Sequence, residues 1–336
     1  MLLSKNSGIG KTELEKDLKK MGIIKGDHVA VALSFKSIGL VENGPDAFID
    51  SLLNAIGPEG TLMMNAFTYS FPIAQIRRDY VFDPQSAIPY TGLVPRTFVK
   101  RKDVIRSRHP TCSVVAIGRL SKYLTDDHNE LSQPYLPFEK LAQVNGKLLC
   151  IGIDDRLVAL RHEAQRRAGF FIVPKLKGVL YRNLKGVANL YIWQEPPCMK
   201  RLPELVPRLE EAGIIVRGNV GEALSIVGSV NELLKAMSSM LKEDPTLDLC
   251  YDFTCLSCRE LERRMNLYGR IRNPKFFQRS LFIRRILSYR NRLMLKPYSC
   301  VSFRSSERKR KFHPTVLLEV CIRRFIRLIS KILKQQ

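Results

Sequence analysis

The chain has 336 residues, of which 45% are hydrophobic and 8% aromatic, enough to bury a sizeable core and against a disordered or collagen-like polymer. It carries 55 Lys and Arg against 32 Asp and Glu, a formal charge of +23, yet 19 of those bases and only 2 of the acids fall in residues 270–336. The body is mildly basic and the tail strongly so; no run of 18 apolar residues suggests a spanning helix, and the eight scattered cysteines point to a reducing cytosol rather than a disulfide framework.

In chain order, the N-terminal stretch has no apolar segment of the kind a signal peptide needs. Thr12 to Glu15 reads as a capping box opening a short helix that ends near Gly22. HVAVALS (28–34) reads as a strand, PDAFIDSLLNAIG (45–57) as a helix and GTLMMNAF (60–67) as a second buried strand. Strand, helix, strand within about 40 residues is a βαβ unit and predicts a parallel sheet. LVPRTFVKR (93–101) reads as helix, CSVVAIG (112–118) and GKLLCIGI (146–153) as strands, and LVALRHEAQRRAG (157–169) as a helix stopped by Gly169. Residues 170–194 turn to short alternating strands with Gly and Asn turns. Helical periodicity returns at 202–213 and 230–242, flanking two further apolar stretches. The pattern predicts an α/β fold over residues 1–269, with a mostly parallel sheet, flanking helices and an inserted antiparallel β portion. A basic amphipathic helical tail follows over 270–336.

Several local patterns carry chemistry. GIGKT at 8–12 is not expected to be a phosphate loop, because position 5 is Lys where the loop needs Gly and only seven residues lie before it for the strand the loop follows. Cys250, Cys255 and Cys258 are spaced as C-x4-C-x2-C and form a candidate zinc half-site, against the plainer reading of free thiols. His109 lies in the polar stretch RSRHPTCS, just before a strand. His162 adjoins Glu163 in the helix that follows GKLLCIGI, at a strand's carboxyl end, where open α/β sheets place their ligands. A histidine steered by a carboxylate is the minimal general base for an amine or hydroxyl.

HVAVALSFKSIGLVENGPDAFIDSLLNAIGPEGTLMMNAFTYS resembles the opening of the aminoglycoside 3-N-acetyltransferase family. The resemblance continues through FDPQSAIPYTGLVPRTFVKRKDVIRSRHPTCSVVAIG and LEEAGIIVRGNVGEALSIVGSVNELL, covering roughly residues 10–240. It implies an acetyl-CoA-dependent N-acetyltransferase that moves acetyl directly to an amino group of an aminoglycoside or other amino sugar. It also implies that Ser34, Phe35, Lys36, Ser37 and Gly39 hold coenzyme A, that Arg106, Ser107, Thr111 and Ser113 line the same cleft, and that His162, Glu163 and His109 are the catalytic candidates.

The chain departs from the family pattern in two places. The family's first-strand His and Ser fall on Ala32 and Leu33. The family's helix carries a His and, three residues on, a Glu; one registration puts that His on His162, another on Arg161. These departures leave open a catalytically degenerate relative serving as a membrane-surface binding or scaffold protein in glycan assembly. The positive body also fits a polycationic drug less well than an amino sugar on an anionic carrier.

In the tail, PTVLLEVCIRRFIRLISKILK (314–334) sets a cationic face opposite an Ile, Leu and Phe face. That pattern suits a helix lying in an anionic membrane surface, which predicts a cytoplasmic, peripherally bound protein. Packing on the body or on a second subunit in a homo-oligomer is the competing reading. Nucleic acid is disfavoured, because the basic groups lack an aromatic stacking platform.

Overall fold

A computed structural model describes residues 8–153, 157–169, 175–195 and 204–244, together with Leu247, Cys255 and Cys258. The tail, its boundary near 269 and the first cysteine of the cluster, Cys250, lie outside the described residues.

Helix α1 (Lys11–Lys20) leads into strand β1 (His28–Leu33), helix α2 (Gly44–Ile56) and strand β2 (Thr61–Asn65). The expected capping box is absent: Gly10 is the N-cap of α1 and no side chain caps it. Ile9 is instead tied to the loop after β1, its N–H donating to the Leu40 carbonyl at 2.6 Å. Two short strands, β3 (Phe71–Pro72) and β4 (Val81–Phe82), precede helix α3 (Leu93–Phe98) and strands β5 (Ile105–Arg106) and β6 (Val114–Gly118). Then come α4 (Ser121–Thr125), α5 (Leu136–Gln143), β7 (Lys147–Ile151) and α6 (Val158–Ala168). The hairpin β8 (Lys175–Arg182) and β9 (Ala188–Glu195) is followed by α7 (Leu205–Glu211), β10 (Ile215–Val220), β11 (Ala223–Ser229) and α8 (Val230–Glu243).

Seven strands form the main sheet in the order β10-β11-β7-β1-β2-β6-β5. Its centre, β7-β1-β2, is parallel, as the βαβ pattern requires, while β10, β11, β6 and β5 extend it by antiparallel pairing. The expected antiparallel insertion is the second sheet, where β9 pairs one edge of β8 and β3 and β4 pair the other.

Both faces of the main sheet are buried, so its strands read as continuous apolar runs. Val29, Val31, Leu149 and Ile151 pack on one face with Leu14, Leu18, Phe48, Ile49 and Leu52 of α1 and α2. Each such side chain contributes roughly 1.5–3 kcal/mol by leaving water. Ala30, Ala32, Met63 and Cys150 pack on the opposite face, beneath Leu157, Leu160 and Ala164 around α6, Tyr135, and Val179 and Tyr191 of the second sheet. Gly57 ends α2 at φ +67 and ψ −176, a backbone conformation that L side chains rarely adopt and that suits glycine. No helix among the described residues is long and apolar enough to cross a membrane.

Candidate active site

The chain leaves β1 through α2 to reach β2 on one side, whereas β7 lies on the other side of β1. The strand order therefore reverses between β1 and β7, and their carboxyl ends open the crevice in which sheets of this kind take ligands. Ser34, Phe35, Lys36, Ser37 and Gly39 form a single 3-10 turn at that edge. The Ser34 N–H donates to the Ile151 carbonyl at 2.9 Å, so the turn is anchored on the end of β7. Ser37 donates its hydroxyl to Ser34 Oγ at 2.8 Å. Gly152, at φ +65, lets the two loops meet, since a Cβ there would lie 2.5 Å from Ser37 Cβ.

The turn is not uniformly suited to phosphate. The Phe35 ring packs edge-on against Phe48, 6.0 Å between centroids, and serves the core. A Cβ on Gly39 would lie 2.8 Å from the Glu222 carboxyl carbon, so that end of the turn is acidic. Lys36 is exposed, and with Ser34 and Ser37 forms the part of the turn suited to an anion.

The second group comes to the same edge of the sheet by register. Asn65 at the end of β2 pairs with Val114 at the start of β6, and the Thr68 N–H donates to the Thr111 carbonyl at 3.0 Å. Two strand spacings, about 10 Å, then separate this stretch from β1. Its side chains, however, spend their polar atoms inside the protein. Ser113 donates to the Ala66 carbonyl at 2.7 Å, and Arg106 reaches Ser113 Oγ at 3.2 Å, the Ala66 carbonyl at 3.0 Å and the Ala87 carbonyl. Burial pulls the Arg106 guanidinium down to about 10. Ser107 accepts from the Val114 N–H at 2.9 Å. Thr111, Ser107 and Ser113 are all buried. These residues form a bracket that ties β2, β5 and β6 together.

His109 belongs to that bracket. It is 0% exposed, and its Nδ1 accepts from the backbone N–H of Cys112 at 3.0 Å and of Thr111 at 3.3 Å. Its Nε2 therefore carries the proton and donates to the Tyr191 hydroxyl at 3.0 Å. The ring stacks on His128, 4.7 Å between centroids, and burial followed by the His128 charge pushes its pKa well below the ordinary value. His128 pairs with Ser107 Oγ at 2.9 Å and with the Pro134 carbonyl at 3.1 Å, and burial lowers it to about 3.

His162 sits in α6, which follows β7 on the Ala32 face of the sheet. It is 2% exposed, and its Nδ1 lies 2.8 Å from Gln165 Oε1, one helical turn on. A carboxamide oxygen only accepts, so Nδ1 carries the proton and the lone pair is on Nε2. The Tyr135 ring lies 5.7 Å away. Burial first, then the charge of Arg161, lowers the imidazole to about 3.

Glu163 does not steer it. Neighbours in a helix point about 100° apart, and the Glu163 carboxylate is forked by Arg166 at 2.7 and 2.8 Å and by Arg167 at 2.8 Å. Glu139 of α5 shares Arg166, and burial followed by a hydrogen bond with Glu163 raises it to about 7.

Among the described residues no group of three or more His, Cys, Asp and Glu side chains is placed to hold a metal. Of the cysteine cluster, Cys255 and Cys258 are among the described residues, and the zinc expectation depends on Cys250, outside them. Gln165, Tyr135, His128 and Tyr191 were not singled out from sequence. Gln165 alone had a signal there, the i, i+3 spacing from His162.

Comparison with known proteins fits this geometry. Residues 31–242 match the family described as aminoglycoside 3-N-acetyltransferase. The chain is 30% identical over 197 residues to aminoglycoside N(3)-acetyltransferase VIII of Streptomyces fradiae, covering 54% of this chain and 68% of that protein. It is 33% identical over 180 residues to aminoglycoside N(3)-acetyltransferase III of Salmonella sp, covering 49% of this chain and 62% of that one. Among solved structures, AAC-IIIb in a binary complex with CoASH superposes with a TM-score of 0.62 at 23% identity, over 70% of this chain and 97% of that one, a likeness of fold. The matched segment contains the turn at Ser34, the bracket at His109 and the helix of His162, and on that match the chain belongs to the aminoglycoside 3-N-acetyltransferase family.

Proposed function

We propose that the chain is an acyltransferase that moves the acetyl group of acetyl-CoA to an amino group of an aminoglycoside or other amino sugar. Acetyl-CoA supplies the acetyl as an activated thioester. The amine nitrogen attacks the thioester carbon, the N–C bond forms, the C–S bond breaks, and coenzyme A leaves as its thiolate, which becomes the thiol when it receives the proton first taken up from the nitrogen. His162 Nε2 takes the proton that the nitrogen sheds, which is general-base catalysis. The exposed part of the turn after β1, Ser34 to Ser37, receives the coenzyme A arm.

The observation that carries this reading is the hydrogen-bonded His162–Gln165 pair on the helix after β7, beside the β1–β7 crossover, in a chain of this family. Arg161 is not the base, because a guanidinium keeps its proton at any working pH. His109 acts as a positioning residue in the frame around the crevice.

The finer parts of the proposal concern the tail and the partners. Residues 1–269 form the catalytic domain and 270–336 a basic amphipathic tail that binds an anionic membrane surface at the cytoplasmic face. Its support is the segregation of Arg and Lys from Ile, Leu and Phe over 314–334. That placement would hold the site beside an amino sugar on an anionic carrier. Helix packing within a homo-oligomer is the alternative use of the same face.

The test is release of free thiol from acetyl-CoA by purified protein, with a panel of amino sugars running from glucosamine to aminoglycosides. The expected result is release that depends on the amino sugar, and a rise in melting temperature with acetyl-CoA alone. Saturation at 100 times the dissociation constant corresponds to about 2.7 kcal/mol. No release and no thermal shift at millimolar acetyl-CoA would overturn the enzyme reading.

A further inference from the structure

Asn65 ends β2 with a carboxamide that the protein does not fully satisfy. Along this stretch the two faces of the sheet alternate: Met63 and Phe67 belong to the cluster beneath α6, Met64 and Ala66 to the cluster that packs on α1 and α2. Asn65 therefore stands on the α6 face. Val31 pairs with Met64, so the next step along these parallel strands sets Asn65 beside Ala32. Asn65 itself pairs with Val114 of β6, and Ala32 pairs with Cys150 of β7. A row of Val114, Asn65, Ala32 and Cys150 thus crosses four strands near the carboxyl ends of β1, β2 and β7, where the crevice opens.

Asn65 is the one carboxamide in that row. It is 7% exposed, and its Oδ1 is buried without a hydrogen-bond partner. Val114 and Ala32, which flank it, offer no side-chain donor, and Ala32 extends from β1 by only a methyl group. Buried acceptors in proteins are paired in the great majority of cases, so an orphaned one at a ligand-binding edge calls for a donor from outside the chain.

A second observation lies just past the strand. The Tyr90 N–H donates to the Phe67 carbonyl at 2.9 Å, and the Thr91 hydroxyl donates to the Asn65 carbonyl at 2.6 Å. These bonds bring Tyr90 back to Tyr69 at the end of β2, with 5.3 Å between ring centroids, and both residues are exposed. A sugar ring presents C–H groups to an aromatic face and O–H and N–H groups at its rim. Exposed tyrosines and an orphaned amide acceptor at the end of one strand match those two parts.

We infer that the Asn65 carboxamide oxygen accepts a hydrogen bond from a hydroxyl or amino group of the amino sugar, in the space beside Ala32, and that Tyr69 and Tyr90 offer the sugar their ring faces. The inference deepens the acetyltransferase reading and rests on it, assigning the end of β2 to the sugar and leaving the turn after β1 to coenzyme A. Asn65 then weakens the fold without sugar and strengthens the complex with it, a combination that a purely structural asparagine does not produce.

The experiment measures binding by calorimetry on the full chain, with kanamycin, glucosamine and coenzyme A as separate probes. Asn65→Leu is expected to weaken binding of at least one of the two sugars by about tenfold or more, the size of one lost hydrogen bond. Its affinity for coenzyme A should be unchanged, and its melting temperature without sugar should not fall. Asn65→Asp keeps an acceptor at that point and should retain sugar binding. Tyr69→Ala should weaken the same sugar, and an unchanged affinity there overturns the aromatic half of the inference.

Equal sugar affinity in the wild type and Asn65→Leu overturns the role of Asn65, as does an equal loss in Asn65→Leu and Asn65→Asp. A loss that falls on coenzyme A instead also overturns it, and so does a wild type that binds neither sugar. Should Asn65→Leu fail to fold, Asn65→Ala takes its place in the binding measurements. In steady-state kinetics the KM for the sugar should rise in Asn65→Leu while the KM for acetyl-CoA holds. Sugar binding that depends on Asn65 without any acetyl transfer would refute the enzyme reading and leave this inference standing. Transfer that is indifferent to Asn65 would do the reverse.

Discussion

The surroundings of His109 and of His162 are sealed from water to nearly the same degree, and in both the ring is held uncharged. They differ in which nitrogen is spent. At His109 two backbone N–H groups occupy the lone pair of Nδ1, and the proton on Nε2 goes to Tyr191. At His162 the proton on Nδ1 goes to Gln165, which puts the lone pair on Nε2. The two rings are opposite tautomers. Burial and a depressed pKa are common to both, so neither property separates the proposed general base from the structural bracket; the identity of the hydrogen-bond partners is what distinguishes the two rings.

That contrast can be broken first at the bracket. His109→Ala strands two backbone N–H groups and the Tyr191 hydroxyl and opens a cavity. The expected cost is about 3–5 kcal/mol of stability, read as a lower urea midpoint. A cost below about 1 kcal/mol would mean that the His109 network is dispensable.

A smaller loss is expected at Glu163. Glu163→Gln removes the charge from a fully buried acceptor of two arginines, each about a third exposed. A loss of about 2 kcal/mol follows from the broken fork, and Glu139 should titrate closer to an ordinary carboxylate once its neighbour's charge is gone. If Glu163→Gln instead moves the pH dependence of catalysis while leaving stability intact, Glu163 steers His162 after all.

Acid sharpens the comparison further. His109, His128 and His162 all have pKa values lowered in the fold, mainly by burial. Above pH 6.5 neither the folded nor the unfolded chain protonates them, and their contribution is flat. Below pH 6.5 the unfolded chain binds protons that the folded rings refuse. Stability should fall by up to about 1.4 kcal/mol per pH unit for each ring, until pH approaches the folded value of about 3 for His128 and His162. Urea midpoints between pH 7.5 and 4.5 check this. His109→Gln should flatten the slope, and an unaltered slope would mean that His109 does not contribute.

The smallest effect concerns Asn65, at the carboxyl end of β2. Its Oδ1 is buried without a hydrogen-bond partner, on a side chain 7% exposed. Asn65→Leu has similar volume and removes that orphaned acceptor, so the substrate-free protein should gain about 1 kcal/mol. A loss on thermal melting would show that the amide is satisfied within the protein.

How far the sequence revealed this arrangement depended on the range of the interactions. β1, α2 and β2 were legible because HVAVALS, PDAFIDSLLNAIG and GTLMMNAF carry local period and punctuation, and α6 was legible for the same reason up to its stop at Gly169. The antiparallel flanks of the main sheet were not legible. β6 pairs with β2 across about 50 residues and β11 with β7 across about 75, and no local pattern encodes those partners. α5, which carries Glu139 and follows Tyr135, was missed because LPFEKLAQ is short and has a proline as its second residue. At the site, RSRHPTCS promised a reactive surface because it is polar. Its polar atoms instead satisfy buried backbone, and polarity alone does not say which way a side chain faces. Adjacency suggested Glu163 as the partner of His162, where helical geometry selects the residue three positions on.

The most direct test of the division between the two histidines is the turnover of His109→Ala and His162→Ala, measured per folded molecule with one amino sugar at saturating acetyl-CoA. The account predicts that His162→Ala loses about 10²–10⁴-fold in kcat, the size expected for a missing general base, while acetyl-CoA still raises its melting temperature. His109→Ala, once corrected for its folded fraction, should remain within about tenfold of the wild type. Equal losses in the two variants, or a larger loss at His109, would contradict the account.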